Sequence, residues 1–222
     1  MEAPVAEVIV RPGNIFGMSL ISYLPQIQVA SRRETKAVSS VQHLVRSGSY
    51  SDCGQHLCLG DRRGNILLVA AKHADDWNKY QSIPVHQSTV RGITSLPGTS
   101  QFVSCGEDGR LGIIDGKGSS AETLLDKLPA KLVSCTGITR STVASGGTNN
   151  KIYVIDIPTR RITQILNEHQ GTVVGLASNQ SMLASVGFDC KVILWRRQDT
   201  AGPDIDQPNI TGLAKTATRE GG

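Results

Sequence analysis

The feature that most constrains this chain is a repeat. The segments "LCLGDRRGNILLVA" (57–70), "FVSCGEDGRLGIID" (102–115), "VASGGTNNKIYVID" (143–156) and "LASVGFDCKVILWR" (183–196) superpose on one another. Their starts, at 57, 102, 143 and 183, step by 45, 41 and 40 residues. Each opens with a short apolar run, breaks at a polar turn and resumes as an alternating apolar run. Two such runs around a tight turn read as a hairpin. Asp, Asn and Gly at the turn supply local hydrogen bonds and positive φ.

Two further strand-like runs flank each hairpin. "TVRGITSL" (89–96), "AKLVSCTGI" (130–138) and "TVVGLAS" (172–178) precede it, and "AETLLDKL" (121–128) and "RITQILN" (161–167) follow. Four short strands in a period of 40–45 residues describe one blade of a β-propeller. The predicted fold is all-β: four-stranded antiparallel blades at about 38–84, 85–128, 129–167 and 168–198, with strands named a to d in order. A count of 23 glycines with only 4% aromatic residues fits a chain of many turns, and 39% hydrophobic residues can fill a core.

Certain positions in the unit recur. The third is Ser104, Ser145 and Ser185; the seventh is Asp108, Asn149 and Asp189; the thirteenth is Ile114, Ile155 and Trp195. His86 and His169 lie just before strand a of blades two and four. This pattern resembles the WD-repeat family, whose blades carry a His–Ser–Asp–Trp hydrogen-bond chain. The resemblance covers residues 38–198. It is complete in blade four (His169, Ser185, Asp189, Trp195), lacks the tryptophan in blade two, and lacks the histidine in blade three. Blade one has Leu59, Arg63 and Val69 at the three positions, and the Trp–Asp dipeptide of the family is nowhere intact. The resemblance implies a structural network that ties each d–a link to the following b–c turn. A hydrolase triad is the competing reading of His, Ser and Asp. It fails because the serine lies inside a strand and the set recurs at a structural period, whereas a nucleophile needs exposure and an oxyanion hole.

The blade count does not close a ring of about seven, the number usual in the family. Residues 1–37 hold a partial blade or closing strands, with "AEVIV", "GMSLISY" and "QIQVASRR" as strand-like runs. Residues 199–222 read as a polar, disordered tail, leaving blade four without an obvious strand d. Three outcomes stay open: a piece of a longer propeller, an arc completed by another chain or by self-association, or a small irregular ring.

The remaining features narrow the function. No apolar run reaches 18 residues, and "MEAPVAEVIVRPG" lacks a signal-peptide pattern, so the expected location is intracellular, in cytoplasm or nucleus. The five cysteines are scattered, and "CGQHLC" (53–58) offers too few ligands for a zinc site. No cofactor or metal is expected. The b–c and d–a side carries Arg62, Arg63, Glu107 and Phe188. Phe188 is either an exposed anchor for a partner or a ring folded over a neighbouring blade. The c–d side carries Lys72, His73, Lys117, Arg160, Arg161, Arg196 and Arg197, which could face nucleic-acid phosphate or an anionic lipid. The predicted function is a non-enzymatic scaffold for a multiprotein complex; an RNA- or phosphoinositide-binding propeller is the alternative.

Overall fold

A computed structural model describes residues 26–31, 34–40, 44–70, 80–118, 120–179, 181–198 and 209–213. Among them there is no helix. After a two-stranded hairpin of β1 (Gln26–Ser31) and β2 (Glu34–Ser40) come four antiparallel four-stranded sheets. Blade one is β3 (Val45–Tyr50), β4 (His56–Asp61), β5 (Asn65–Ala70) and β6 (Tyr80–Pro84). Blade two is β7 (Val90–Ser95), β8 (Gln101–Gly106), β9 (Leu111–Asp115) and β10 (Ala121–Leu125). Blade three is β11 (Leu132–Gly137), β12 (Thr142–Gly147), β13 (Ile152–Asp156) and β14 (Arg161–Leu166). Blade four is β15 (Val173–Ser178), β16 (Met182–Gly187), β17 (Val192–Gln198) and β18 (Asn209–Leu213).

The last of these strands corrects the sequence reading. Blade four does not end at residue 198, because Asn209–Leu213 pairs antiparallel with β17 as its strand d. Strand d is the outer edge of a blade, and β6 and β14 are largely exposed. A polar stretch therefore suffices there, given one anchor, and Ile210 is that buried anchor. The proposed closing strand "AEVIV" lies outside the described residues.

Between consecutive blades, the facing broad sides bury each other. Strand a of each blade lies beside that of the next: β3 by β7, β7 by β11, β11 by β15. The core divides accordingly. Cys58, Ile66 and Leu68 of blade one meet Val90, Phe102 and Ile114 of blade two. Val103, Cys105 and Leu111 of blade two meet Leu132, Val143 and Ile155 of blade three. Ala144, Ile152 and Val154 of blade three meet Val173, Leu183, Ile193 and Trp195 of blade four. Alternate residues of strands b and c thus serve opposite junctions, as the two-residue side-chain period of a strand requires.

These junctions are close. A Cβ built on Gly146 would lie 2.6 Å from Cγ1 and 2.9 Å from Cβ of Val173, so two backbones approach there with no slack. Gly146→Ala is expected to destabilise the chain by about 1–3 kcal/mol through overpacking, read as a lower urea midpoint at unchanged slope. An unchanged midpoint would show that this junction can relax.

The polar lock and the exposed rim

The b–c turn and the incoming d–a link meet at one end of each blade, and in blade four four side chains join them. The indole N–H of Trp195 donates to Ser185 Oγ at 2.9 Å. Ser185 Oγ lies 2.8 Å from His169 Nε2, and His169 Nδ1 lies 3.0 Å from the Asp189 carboxylate. Indole can only donate, so Ser185 accepts from it and gives its own proton to Nε2. Nδ1 then carries the ring proton and donates to Asp189. Asp189 also accepts from the backbone N–H groups of Gln170 (2.9 Å) and Lys191 (3.3 Å). His169, Ser185 and Trp195 are buried.

Blade two repeats the arrangement without the indole. His86 Nε2 lies 2.7 Å from Ser104 Oγ, and Nδ1 lies 3.1 Å from Asp108 Oδ1. Asp108 accepts from Gln87 N–H at 2.8 Å and Arg110 N–H at 3.1 Å. Ile114, at the tryptophan position, is fully buried in the junction with blade one. Burial pushes the His86 pKa below 6.5, against the pull of Asp108. Burial alone would raise the Asp108 carboxyl, but the Gln87 N–H and His86 outweigh it and hold the group below its ordinary 3.8.

Blades one and three close the same corner by other means. In blade three the expected pair does not join. Ser145 donates to the Ser134 carbonyl at 3.1 Å, while the Asn149 amide donates to the Tyr153 hydroxyl at 2.7 Å. Without a histidine between them, each finds a local partner. In blade one the buried Asp61 accepts from the backbone N–H groups of Arg63 and Asn65, both at 2.8 Å, and from the Asn65 side chain at 2.8 Å. The sequence reading missed Asp61, although a signal was present. Its position in the repeat is glycine elsewhere: Gly106, Gly147 and Gly187. At Gly106 a Cβ would lie 2.7 Å from both His86 Nδ1 and Asp108 Oδ1, and at Gly187 2.7 Å from His169 Nδ1 and Asp189 Oδ1. Blade one has no lock histidine to clash with a side chain there, whereas blade three, which also lacks it, keeps Gly147 because a Cβ would lie 2.2 Å from the Lys131 carbonyl oxygen.

The remaining candidates lie on the surface. Phe188 is 75% exposed, so its ring does not fold over a neighbour. Arg62 and Arg63 are exposed on the same side. Glu107 is engaged instead, at 2.6 Å from Arg91 Nε and 3.7 Å from Lys131 Nζ. At the c–d end Arg160 is also engaged, at 2.8 Å from Glu122 of the preceding blade and 3.3 Å from the Thr123 carbonyl. Arg161, Arg196 and Lys117 are exposed. Lys72, His73 and the side chain of Arg197 lie outside what the structure describes. Among the described residues no group of three or more His, Cys, Asp or Glu could hold a metal ion, and no helix is long and apolar enough to cross a membrane.

Comparison with known proteins agrees with this geometry. The family model described as "WD domain, G-beta repeat" matches residues 77–115 and 160–196. Two WD repeats are thus present in the chain. Each matched span runs from the strand d region of one blade through strand c of the next, and the two spans hold the two histidine locks. No curated protein matches the chain. Among solved structures, a chain of the "Crystal Structure of Mitotic Checkpoint Complex" is similar over 73% of this chain, at 17% identity and a TM-score of 0.64. The match takes in 51% of that chain, so this chain spans about half its length.

The lock sets an expectation for stability against pH. The unfolded chain takes up a proton at His86 near 6.5 and the folded chain only at lower pH, so that contribution is full above 6.5 and is lost as pH falls below it. Asp108 and Asp189 are held below 3.8, so their contribution is present above that value and is lost as they protonate. Both act in one direction: stability falls on acidification, first below about 6.5 and again below about 3.8. At neutral pH, His169→Ala and Asp61→Ala are each expected to cost about 1–3 kcal/mol by leaving buried polar groups unpaired. Wild-type melting temperatures in both variants would contradict a structural role.

Proposed function

We propose that this WD-repeat chain is a non-enzymatic scaffold that holds protein partners within a multiprotein complex. One observation carries the reading: Phe188, 75% exposed, stands on a turn whose backbone is held by the Asp189 lock. A large aromatic ring on a rigid mount is the kind of anchor that dominates protein–protein binding energies, because little side-chain entropy remains to be lost. The same lock supports the non-enzymatic reading. Ser185 is 1% exposed and both its oxygen and its proton are engaged, so it cannot act as a nucleophile. The basic c–d side is less suited to phosphate, since Arg160 is engaged by Glu122.

Quantitative affinity capture with the wild-type chain and Phe188→Ala in parallel tests the reading. Phe188→Ala is expected to leave the melting temperature unchanged and to lose bound proteins that the wild type retains between about 50 and 200 mM salt. Partners that survive Phe188→Ala but are shed as salt rises, or are released by nuclease, would overturn it in favour of an electrostatic contact through Arg161 and Arg196.

A further inference from the structure

We infer that Arg46 and Arg62 of blade one form a receptor for a carboxylate side chain of a partner protein. The inference rests on the scaffold reading only in taking the partner to be a protein, and it names the chemistry that this partner brings. Two positions of the repeat lie side by side in every blade. The first is a bulge in strand a, one residue after its start, where Arg46, Arg91, Val133 and Val174 each stand out of register against strand b. The second is the sixth position of the repeat, in the b–c turn: Arg62, Glu107, Thr148 and Phe188. One backbone hydrogen bond fixes the second position against the first. The N–H of Arg62 donates to the Leu44 carbonyl at 2.9 Å, Glu107 to Thr89 at 3.0 Å, Thr148 to Lys131 at 3.0 Å and Phe188 to Thr172 at 2.9 Å. The acceptor is each time two residues before the bulge. The backbones of the four corners are thus equivalent, and only the side chains differ.

Blade two shows what the corner does with charge. Arg91 Nε lies 2.6 Å from Glu107 Oε1, and Lys131 of blade three stands 3.7 Å from Oε2, so the carboxylate meets two cations. In blade one the bulge keeps its arginine, while arginine replaces glutamate in the turn. Thr89 takes the place of Lys131, and its hydroxyl donates to the Arg62 carbonyl at 3.3 Å. The corner therefore brings two guanidinium-bearing side chains together and supplies no carboxylate. Asp61 does not fill the gap, because its oxygens accept from the Arg63 N–H, the Asn65 N–H and Asn65 Nδ2. Arg46 Nε is buried and has no hydrogen-bond partner among the described residues. A buried donor left in that state costs free energy until a partner arrives. Arg62 is exposed, so the site opens to solvent, at the same end of the blades as Phe188. A carboxylate between the two side chains restores the contact that Arg91 makes with Glu107, with the charges now divided between two chains. Planar guanidinium forks match the carboxylate of an Asp or Glu side chain.

Fluorescence anisotropy of labelled hexaglutamate with the full chain tests this. The wild type is expected to bind it more tightly than labelled hexaglutamine, and Arg46→Gln with Arg62→Gln to weaken binding about tenfold. Lys117→Gln with Arg161→Gln removes the same charge from the c–d side. It is expected to leave the affinity within about twofold, because screening confines the attraction to nearby charges. Equal affinity for the two peptides, or an equal loss in both double variants, overturns the inference. Arg62→Glu supplies the missing carboxylate within the chain, so it is expected to abolish hexaglutamate binding and to raise the melting temperature. A melting temperature at or below that of the wild type would show that the two side chains do not meet. This arm stands even where Arg46→Gln fails to fold. Hexaglutamate that does not bind, while Phe188-dependent partners are retained, overturns this inference and leaves the scaffold reading in place. A uridine oligonucleotide that displaces hexaglutamate at concentrations below the dissociation constant of the peptide assigns the site to phosphate and overturns both.

Discussion

The interaction on which the rest depends is the burial of one blade's broad side against the next. Four-stranded sheets with no helix among the described residues have nothing else to cover them. Apolar residues at the start of strand a, Val90, Leu132 and Val173, are each fully buried at these junctions. Polar groups on the inner strands stitch the same seams. Ser47 donates to the Val90 carbonyl at 3.2 Å, Gly137 N–H to Thr94 Oγ1 at 3.1 Å, and Leu176 N–H to Ser134 Oγ at 3.0 Å. The inner wall can be rich in serine and threonine because hydroxyls such as those of Ser47, Thr94 and Ser134 find partners on a neighbouring blade. Stability is then close to a sum of junctions, as in other repeat architectures, and a blade lacking one neighbour lacks one of its two terms.

Within that frame the corner between turn and link is a local problem with several solutions. Two blades use the histidine lock, one uses an aspartate in the turn, and one uses an amide and a serine with separate partners. What the solutions share is the satisfaction of backbone N–H groups in the b–c turn. This explains why the residues can differ so much between blades while the hairpins superpose. It also explains why a set of side chains recalling a hydrolase has no catalytic slack: each donor and acceptor in blade four is already used.

The legible parts of the sequence were those where a residue must be of one kind. The apolar runs of strands b and c were plain because, in blades two and three, each of those strands faces two apolar junctions. The locks of blades two and four were plain because histidine, serine and aspartate stand at fixed offsets. Strand d of blade four was not, since an outer edge strand needs little more than one anchor, here Ile210. Asp61 was hidden because it acts two positions before the aspartate of the other blades, and only the missing glycine betrayed it. The exposure of Val186 and Val192 was beyond sequence altogether. As residues they are ordinary strand valines, and only the absence of a neighbouring blade among the described residues distinguishes them.

The most direct test of junction-controlled stability is amide hydrogen exchange, followed strand by strand in the dilute, monomeric chain. Exchange should be slowest in β8, β9, β12 and β13, whose blades have a described neighbour on both sides. It should be faster in β16 and β17, whose blade has a described neighbour on one side only. Protection of β16 equal to that of β12 would contradict the claim, because the histidine lock of blade four would then suffice without a second junction.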